Sequence, residues 1–223
     1  MINSLKKIFI LIMPWSIKRI LLQKLMGYQI HKTAKIGYAW FFPEMLIMGP
    51  NSKIGHLNTA IHLDKVIIGE NSSISRGNWI TGFPSNTNSK HFAHQPERKS
   101  ILEIGNHSAI TKNHHLDCTN HLKIGNYVTV AGYQSQFLTH SINVMDNRQD
   151  SAPIFIGDYC FIGTNSVILG GSQLPSKCVL GAKSLLNKKY TEESKLYGGV
   201  PARKISDIPE DAKYFSRSNG FVV

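Results

Sequence analysis

Cysteines, acidic residues and long apolar runs are all scarce in this chain of 223 residues. The three cysteines, Cys118, Cys160 and Cys178, form no CxxC pair, so the sequence favours neither a disulfide framework nor an oxidising compartment. We therefore expect a cytoplasmic protein. Asp and Glu number 14 against 25 Lys and Arg, and this excess of cations favours anionic partners. No helix-turn-helix, zinc-finger or RNP pattern is present, so nucleic acid is the least favoured of these partners.

Residues 1–30 form a basic, apolar segment that we expect to be helical. Its apolar run at 8–15 is too short to span a bilayer, and no small-residue cleavage site follows it. Pro14 is predicted to split the segment into two short helices. Two interpretations stay open. Residues 1–28 could anchor the protein at the inner face of a membrane, or the helices could cover the first coil of the domain that follows.

A strict six-residue period governs residues 156–186. An aliphatic residue leads every unit, and a small residue follows four positions later. The leaders are Ile156, Ile162, Ile168, Leu174, Leu180 and Leu186, and the small residues are Cys160, Ser166, Ser172, Cys178 and Ser184. A period of six matches neither an amphipathic helix nor a simple alternating strand. It predicts an all-β solenoid, in which short strands and tight turns repeat around a three-sided prism.

Weaker copies of the pattern extend the solenoid domain to residues 31–190. The period fails near 80–100 and 141–153, where polar, turn-forming residues predict excursion loops. Residues 191–223 form a C-terminal extension, in which proline and acids at 208–212 predict the start of a short helix.

The repeat resembles the hexapeptide-repeat acyltransferase family, and Gly199-Val200-Pro201-Ala202-Arg203 matches that family's G-x-P-A-K/R signature. The resemblance covers roughly residues 20–205. It is strongest to bacterial sugar and polysaccharide O-acetyltransferases. It implies a left-handed parallel β-helix, a homotrimer, acetyl-CoA as the donor and a sugar hydroxyl as the acceptor in cell-surface polysaccharide biosynthesis.

His140 is the candidate general base, because it precedes the second loop and the run Pro153-Ile154-Phe155-Ile156-Gly157-Asp158, as the base does in the resembling enzymes. A sugar hydroxyl must lose its proton as it attacks a thioester, and an imidazole can accept that proton at neutral pH. Asp117 is assigned to the catalytic group, with capping of backbone amides as the alternative. We assign His115 and Arg148 to acceptor binding.

A metal site is considered because γ-class carbonic anhydrases, which hold zinc with three histidines, share the implied fold. The candidate ligands here are His114, His115, His121 and His140, but neither His114 nor His115 has the fixed spacing of that family to His121. We therefore predict no metal.

The donor site follows from the resemblance alone. It implies a groove for acetyl-CoA between neighbouring subunits, with small residues of the late coils along the pantetheine arm and cations at the phosphates. The matching positions are Gly163, Gly181 and Ala182 along the arm, and Lys183, Lys188, Arg203 and Lys204 at the phosphates. Phe161 holds the aromatic position that the family often has just before the Ile-Gly of this coil, and we assign it to donor binding.

Two other functions remain open. An N-acetyltransferase acting on an amino-sugar nucleotide would use the same base and donor groove. A non-catalytic solenoid scaffold would keep the coils but need no base.

Overall fold

The six-residue period folds into a prism with three parallel β-sheets as its faces, seen in a computed structural model that describes residues 4–220 and 222. The strands are β1 Gln29–Ile30, β2 Lys35–Ile36, β3 Trp40–Phe41, β4 Met45–Met48, β5 Lys53–Ile54, β6 Thr59–Ile61, β7 Lys65–Ile68, β8 Ser73–Ile74, β9 Trp79–Thr81, β10 Ile101–Ile104, β11 Ala109–Ile110, β12 His115–Asp117, β13 Leu122–Ile124, β14 Thr129–Val130, β15 Gln136–Leu138, β16 His140–Asn143, β17 Arg148–Ser151, β18 Ile154–Ile156, β19 Phe161–Ile162, β20 Val167–Leu169, β21 Gln173–Leu174, β22 Val179–Leu180, β23 Leu185–Leu186, β24 Lys195–Gly198 and β25 Arg203–Asp207.

Three successive strands make one coil, and each strand pairs in parallel with its counterpart in the next coil. Face A has the order β1-β4-β7-β10-β13-β18-β21, and face C has the order β3-β6-β9-β12-β15-β20-β23. Face B has the order β2-β5-β8-β11-β14-β19-β22, and it continues into β24 and β25. The described residues therefore form seven stacked coils.

The aliphatic leaders of the repeat form the core, as the sequence predicted. Ile162, Ile168 and Leu174 are fully buried along the axis. The small residues lie at the corners, where Ser166 Oγ donates to the Gly163 carbonyl (3.0 Å) or the Gly181 carbonyl (3.2 Å). A larger side chain would not fit there, and the hydroxyl gives the turning backbone a hydrogen-bond partner.

Two helices, α1 Ser4–Ile12 and α2 Trp15–Met26, cover the first coil. Pro14 separates them as predicted, and Gly27 ends α2 in the left-handed conformation. Lys18 Nζ of α2 donates to the Gly37 carbonyl at 2.7 Å, and Gln23 donates to the Ile30 carbonyl. The helices therefore satisfy backbone groups at the open end of the solenoid.

Two insertions leave the prism on the same side. Residues 82–100 connect β9 to β10 as an irregular loop. Between β15 and β18 the chain forms an antiparallel hairpin of β16 and β17, in which His140 pairs with Ser151. The side chains of Gln95 and Ser151 hydrogen-bond at 2.6 Å, so the two insertions contact each other.

The C-terminal extension differs from the expected helix. After β25, residues 208–212 form a turn, and up to residue 220 the extension is helical only in one 3-10 turn at Lys213–Phe215. The Ile208 amide donates to the Ser194 carbonyl, which ties this stretch to the solenoid in a non-helical conformation. The predicted helix start at 208–212 is therefore wrong.

Candidate active site

A histidine–aspartate pair lies where face C ends and the hairpin begins. His140 is the first residue of β16, two residues beyond Leu138 of β15. Asp117 ends β12, the neighbouring strand of face C, and it pairs in register with Leu138. The parallel stacking of coils therefore brings together two residues that are far apart in the sequence. The Asp117 side chain is buried, whereas that of His140 is 41% exposed.

Asp117 accepts five hydrogen bonds. Its Oδ2 accepts from His140 Nδ1 (2.7 Å) and from the His140 amide (3.0 Å), with Thr139 Oγ1 at 3.2 Å. Its Oδ1 accepts from the Thr119 amide (3.0 Å) and from Thr119 Oγ1 (2.7 Å). Because Asp117 accepts the proton on Nδ1, the neutral His140 ring has its unprotonated Nε2 facing away from the carboxylate.

The same contacts shift both pKa values. Burial alone would raise the pKa of Asp117, but the hydrogen bonds from His140 and Thr119 outweigh it and hold the pKa below its ordinary value. The hydrogen bond that His140 donates to Asp117 raises the pKa of His140 above the usual value for histidine, against burial and the charge of Arg98. The pair therefore combines a permanent carboxylate with an imidazole of increased basicity, which suits proton abstraction from a hydroxyl.

The 82–100 insertion forms a wall beside His140. The Phe92 ring meets the His140 ring edge-on, with the centroids 6.1 Å apart. Arg98 lies 4.7 Å from the Phe92 centroid and is almost completely buried. Its guanidinium donates to the carbonyls of Thr119 (2.5 Å), Phe83 (2.6 Å) and Pro84 (3.0 Å), so it joins the loop to the segment that holds Asp117.

The hairpin is tied to the same insertion by polar contacts. His94 Nε2 lies 2.5 Å from Asp150 Oδ1, and Asn143 Nδ2 donates to Asp150 Oδ2 at 2.8 Å. Arg148 lies on β17 near the hairpin tip, with its guanidinium 3.2 Å from Asp146 and 3.6 Å from Asp150. The residue proposed for acceptor binding therefore belongs to a charged cluster on the hairpin.

His115 lies on the outer surface of face C. It opens β12 two residues before Asp117, and it pairs in register with Trp79 on one side and Gln136 on the other. Its side chain shares the outer surface of this strand with Asp117, because the two positions are separated by the buried Leu116.

The other histidines of this region have local partners. The His114 ring is buried between Thr111 Oγ1 (2.9 Å) and the Ser135 amide (3.1 Å), and burial lowers the pKa of His114 to about 4. His121 lies 3.1 Å from Glu103 and packs against Phe155. Within residues 4–220 and 222, no group of three or more His, Cys, Asp or Glu side chains is placed to hold a metal ion.

The proposed pantetheine positions line the corner between faces B and C. A Cβ atom on Gly163 would lie 2.5 Å from the backbone nitrogen of Ala182 in the next coil, so the stacking of coils requires glycine there. Ala182 and Lys183 are exposed at this corner, and Lys183 has a left-handed backbone with φ of 56°. The Gly181 amide donates to the Tyr197 carbonyl, which extends the same corner into the C-terminal hairpin.

A cavity of about 560 Å³ lies at the C-terminal end of face C. Three of the predicted phosphate-binding residues, Lys188, Arg203 and Lys204, line it together with Asn187, Tyr190, Pro201 and Ala202. Lys204 is also paired with Glu192 (3.1 Å) and Asp207 (3.0 Å), which compensates its charge. Lys188 and Arg203 are therefore the stronger candidates for an anionic ligand.

Phe161 is separated from this cavity. It lies on face B, between Thr129 and Val179, and the Tyr214 ring of the C-terminal tail meets it edge-on at 6.1 Å. In this arrangement the tail covers Phe161.

The histidine–aspartate pair and the small-residue corner lie at opposite edges of face C. His140 follows β15 and lies at the edge next to face A, whereas Gly163 and Ala182 precede β20 and β23 at the edge next to face B. Within one chain, the histidine–aspartate pair and the small-residue corner are therefore separated by the width of a sheet.

Several residues of the site were not predicted from the sequence. Thr119, Thr139, Arg98 and Phe92 bind or enclose the histidine–aspartate pair. The only available signal was position, because Thr119 follows Asp117 by two residues and Thr139 precedes His140 directly. Nothing in the sequence indicated that Phe92 and Arg98 fold back onto this corner.

Solved structures resemble the whole prism at low sequence identity. A hexapeptide-repeat-containing acetyltransferase from Vibrio cholerae is 20% identical, with 92% of this chain and 87% of that chain covered and a TM-score of 0.54. A mutant of AntD, an N-acyltransferase from Bacillus cereus in complex with dTDP-4-amino-4,6-dideoxyglucose and coenzyme A, is 14% identical, with coverages of 89% and 93% and a TM-score of 0.59. The polysialic acid O-acetyltransferase OatWY is 14% identical, with coverages of 86% and 90% and a TM-score of 0.55.

No protein-family model and no curated protein matches the sequence. At the identities above, the likeness is one of fold. The chain therefore has the left-handed parallel β-helix fold of the hexapeptide-repeat acetyltransferases, with a short helical segment before it.

Proposed function

We propose that this protein is an acetyltransferase that moves an acetyl group from acetyl-CoA to a sugar hydroxyl, with His140 as the general base. The observation that carries the proposal is the contact of 2.7 Å between His140 Nδ1 and the buried Asp117 carboxylate, at a half-exposed corner. A surface histidine without a function would not need a buried carboxylate that is itself fixed by Thr119 and Thr139.

The proposed chemistry uses one base for both proton transfers. His140 Nε2 takes the hydroxyl proton as the sugar oxygen attacks the acetyl carbonyl, and Asp117 stabilises the imidazolium that forms. The carbon–sulfur bond then breaks, and coenzyme A leaves as a thiolate that receives the proton from Nε2. The products are the acetyl ester and free coenzyme A. No serine or cysteine lies in an activating motif, so the transfer is direct.

The donor would lie along the corner between faces B and C. Exposed Ala182, which stacks on the buried Gly163 of the previous coil, presents its backbone to a narrow ligand arm. The cavity lined by Lys188 and Arg203 lies in the same last coil, beyond β23. The cavity could hold the phosphates of acetyl-CoA, because Lys188, Arg203 and Lys204 line it and no carboxylate is among the described residues of its lining.

The separation of the two groups across face C supports a homotrimer. In a closed ring of three copies, the edge that holds His140 meets the edge that holds Gly163 in the next copy. Apolar side chains are exposed on both surfaces, including Val144 and Met145 of the hairpin and Tyr133 of the corner. A ring would bury them and complete three equivalent sites.

For the acceptor we propose a sugar unit of a cell-surface polysaccharide, modified in the cytoplasm where acetyl-CoA is made. The similarity in fold to a polysialic acid O-acetyltransferase supports this choice. The second candidate is N-acetylation of an amino-sugar nucleotide, which the similarity to AntD favours. His140 and the donor corner serve both reactions, and the acceptor alone distinguishes them.

The test combines donor binding with acceptor screening. Acetyl-CoA at a hundredfold excess over its Kd should stabilise the folded protein by about 2.7 kcal/mol, seen as a higher melting temperature. Release of free thiol should then be measured with polysaccharide fragments and with amino-sugar nucleotides. An ester product supports the first function and an amide product the second. A scaffold would show neither thermal stabilisation nor thiol release.

A further inference from the structure

Helix α1 turns an apolar face towards solvent. Leu5, Ile8, Phe9 and Ile12 are between 49% and 75% exposed. Their spacing of three and four residues places them along one side of the helix. The buried residue of α1, Ile10, lies on the other side. A helix that only covered a solenoid end would bury its apolar side and expose its charges.

Helix α2 buries Leu22 on its inner side, but it too exposes aliphatic residues. Ile17 and Ile20 are about half exposed, and they lie one turn apart on the helix. On its inner side α2 buries Lys18, whose ammonium group donates to the Gly37 carbonyl at 2.7 Å, and burial lowers the pKa of Lys18 to about 8. The protein therefore buries a charged residue at this end while it leaves aliphatic residues in water.

This end of the chain is also strongly cationic. Residues 1–43 contain seven Lys and Arg and no acidic residue, and Glu44 is the first carboxylate in the sequence. Arg19, like Lys18, docks onto the solenoid, where it donates to the Lys32 carbonyl at 2.8 Å. Lys24 is exposed on α2 beside the half-exposed isoleucines. Apolar and cationic groups thus share one surface.

We propose that α1 and α2 bind the surface of a bilayer that contains anionic lipids, with the apolar side chains at the level of the headgroups. The described residues contain no helix able to cross a membrane, so the attachment is interfacial. The occupant is a bilayer and not a second copy of the chain, because two copies of this cationic end would repel each other. Anionic headgroups supply the opposite charge, and the acyl boundary accepts the apolar face.

The position of the helices makes attachment compatible with an active solenoid. They cover the first coil, whereas the cavity of Lys188 and Arg203 lies at the last coil. In a ring of three copies with parallel axes, all three helical ends would face the same side. The inference does not depend on the proposed function, because membrane binding is measured without any acyl transfer.

The experiment is vesicle sedimentation of the full chain. Vesicles of phosphatidylcholine alone are compared with vesicles that carry about 30 mol% phosphatidylglycerol, and we expect the partition coefficient to rise by about tenfold or more with the anionic lipid. Ile8→Ser combined with Phe9→Ser should lower binding to the anionic vesicles by about tenfold or more. Lys24→Glu, which leaves the apolar face intact, should lower it severalfold and make the remainder less sensitive to salt.

Ile205→Ser is the matched control, because Ile205 is 62% exposed on β25, at the other end of the solenoid. It should bind like the wild type, and unchanged melting temperatures show that all variants are folded. Equal binding to neutral and anionic vesicles, or wild-type binding by the Ile8→Ser/Phe9→Ser chain, overturns the proposal. The proposal is also overturned if sedimentation velocity shows a smaller oligomer for the Ile8→Ser/Phe9→Ser chain, because the apolar face would then be a contact between copies.

Discussion

The substitution Asp117→Asn changes the interaction on which the proposed catalysis depends. Asn is isosteric, but only its oxygen accepts hydrogen bonds. If that oxygen keeps the two contacts from Thr119, the amide nitrogen faces the His140 amide and ring nitrogen, which are donors in the wild type. The amide would then donate to Nδ1, so the proton of the neutral ring would move to Nε2.

These contacts determine how much catalytic rate and how much stability the substitution should remove. A proton on Nε2 removes the base from the substrate side, and the loss of the carboxylate removes the charge that stabilises the imidazolium. We expect kcat to fall by about 10²–10⁴-fold. The buried amide of His140 loses its acceptor, which should cost about 1–3 kcal/mol of the free energy of unfolding. The ring nitrogen and the Thr139 hydroxyl can turn to other partners, so the cost does not scale with all three donors.

The assay is the pH dependence of kcat/KM in thiol release. In the wild type, activity should fall as pH decreases through the pKa of His140, which Asp117 raises above 6.5. In Asp117→Asn the fall in activity should occur at lower pH, and the maximal kcat/KM should be smaller than in the wild type. Asp211→Asn is the control, because Asp211 is an exposed carboxylate of the C-terminal extension, away from the pair. A variant with wild-type rate and an unchanged pH limb would refute the assigned role of Asp117.

The same pair predicts how stability depends on pH. The folded pKa of Asp117 lies below its ordinary value of 3.8, so its contribution is complete above that value and is lost as pH falls through the folded pKa. The folded pKa of His140 lies above 6.5, so its contribution is complete below 6.5 and is lost as pH rises through the folded value. Denaturant unfolding should therefore show that the wild type loses more free energy of unfolding than Asp117→Asn in two ranges: as pH falls below 3.8 and as pH rises above 6.5.

Three further predictions concern residues around the pair and the donor corner. Gly163→Ala should destabilise the protein by about 1–3 kcal/mol and weaken acetyl-CoA binding, because the new Cβ would lie 2.5 Å from the backbone of the next coil. The control Gly181→Ala should melt like the wild type, because no atom lies nearer than 3.5 Å to its Cβ. Equal melting temperatures for the two variants would contradict the close stacking at Gly163. Arg98→Met should lower kcat by about tenfold or more. It should also move the acidic fall in activity to higher pH, because the substitution removes a cation that lowers the pKa of His140. If the acidic fall does not move, the role of Arg98 is limited to packing the loop. Lys188→Ala and Arg203→Ala should raise the KM for acetyl-CoA about five- to tenfold with kcat little changed; a fall in kcat at constant KM would place the phosphates elsewhere.

The repeat could be predicted from the sequence because a coil is a local structure. Each aliphatic leader, such as Ile162 or Leu180, is buried against its equivalents one coil away, so spacing alone determines which side chains face the axis. Pro14 could be interpreted in the same way, since its effect on a helix depends on its own ring. The failures of the period likewise indicated both insertions.

Contacts between the insertions could not be predicted. That Arg98 reaches the Thr119 carbonyl, or that His94 meets Asp150, depends on the path of irregular loops, which has no periodic signal. The C-terminal helix was predicted from proline and acids that in fact occupy a turn held by the solenoid. Nothing in the sequence indicated that Tyr214 of the C-terminal tail meets Phe161 edge-on, and the assignment of Phe161 to the donor stays a prediction.

The most direct test of the account is a single comparison of acetyl transfer by wild type and His140→Ala at saturating acetyl-CoA and acceptor. Because His140 is half exposed and its removal leaves no buried cavity, the variant should fold and bind coenzyme A with the same thermal stabilisation. The account predicts a fall in kcat of about 10²–10⁴-fold with donor binding unchanged. A variant that transfers acetyl groups at the wild-type rate would contradict the central claim that His140 is the base.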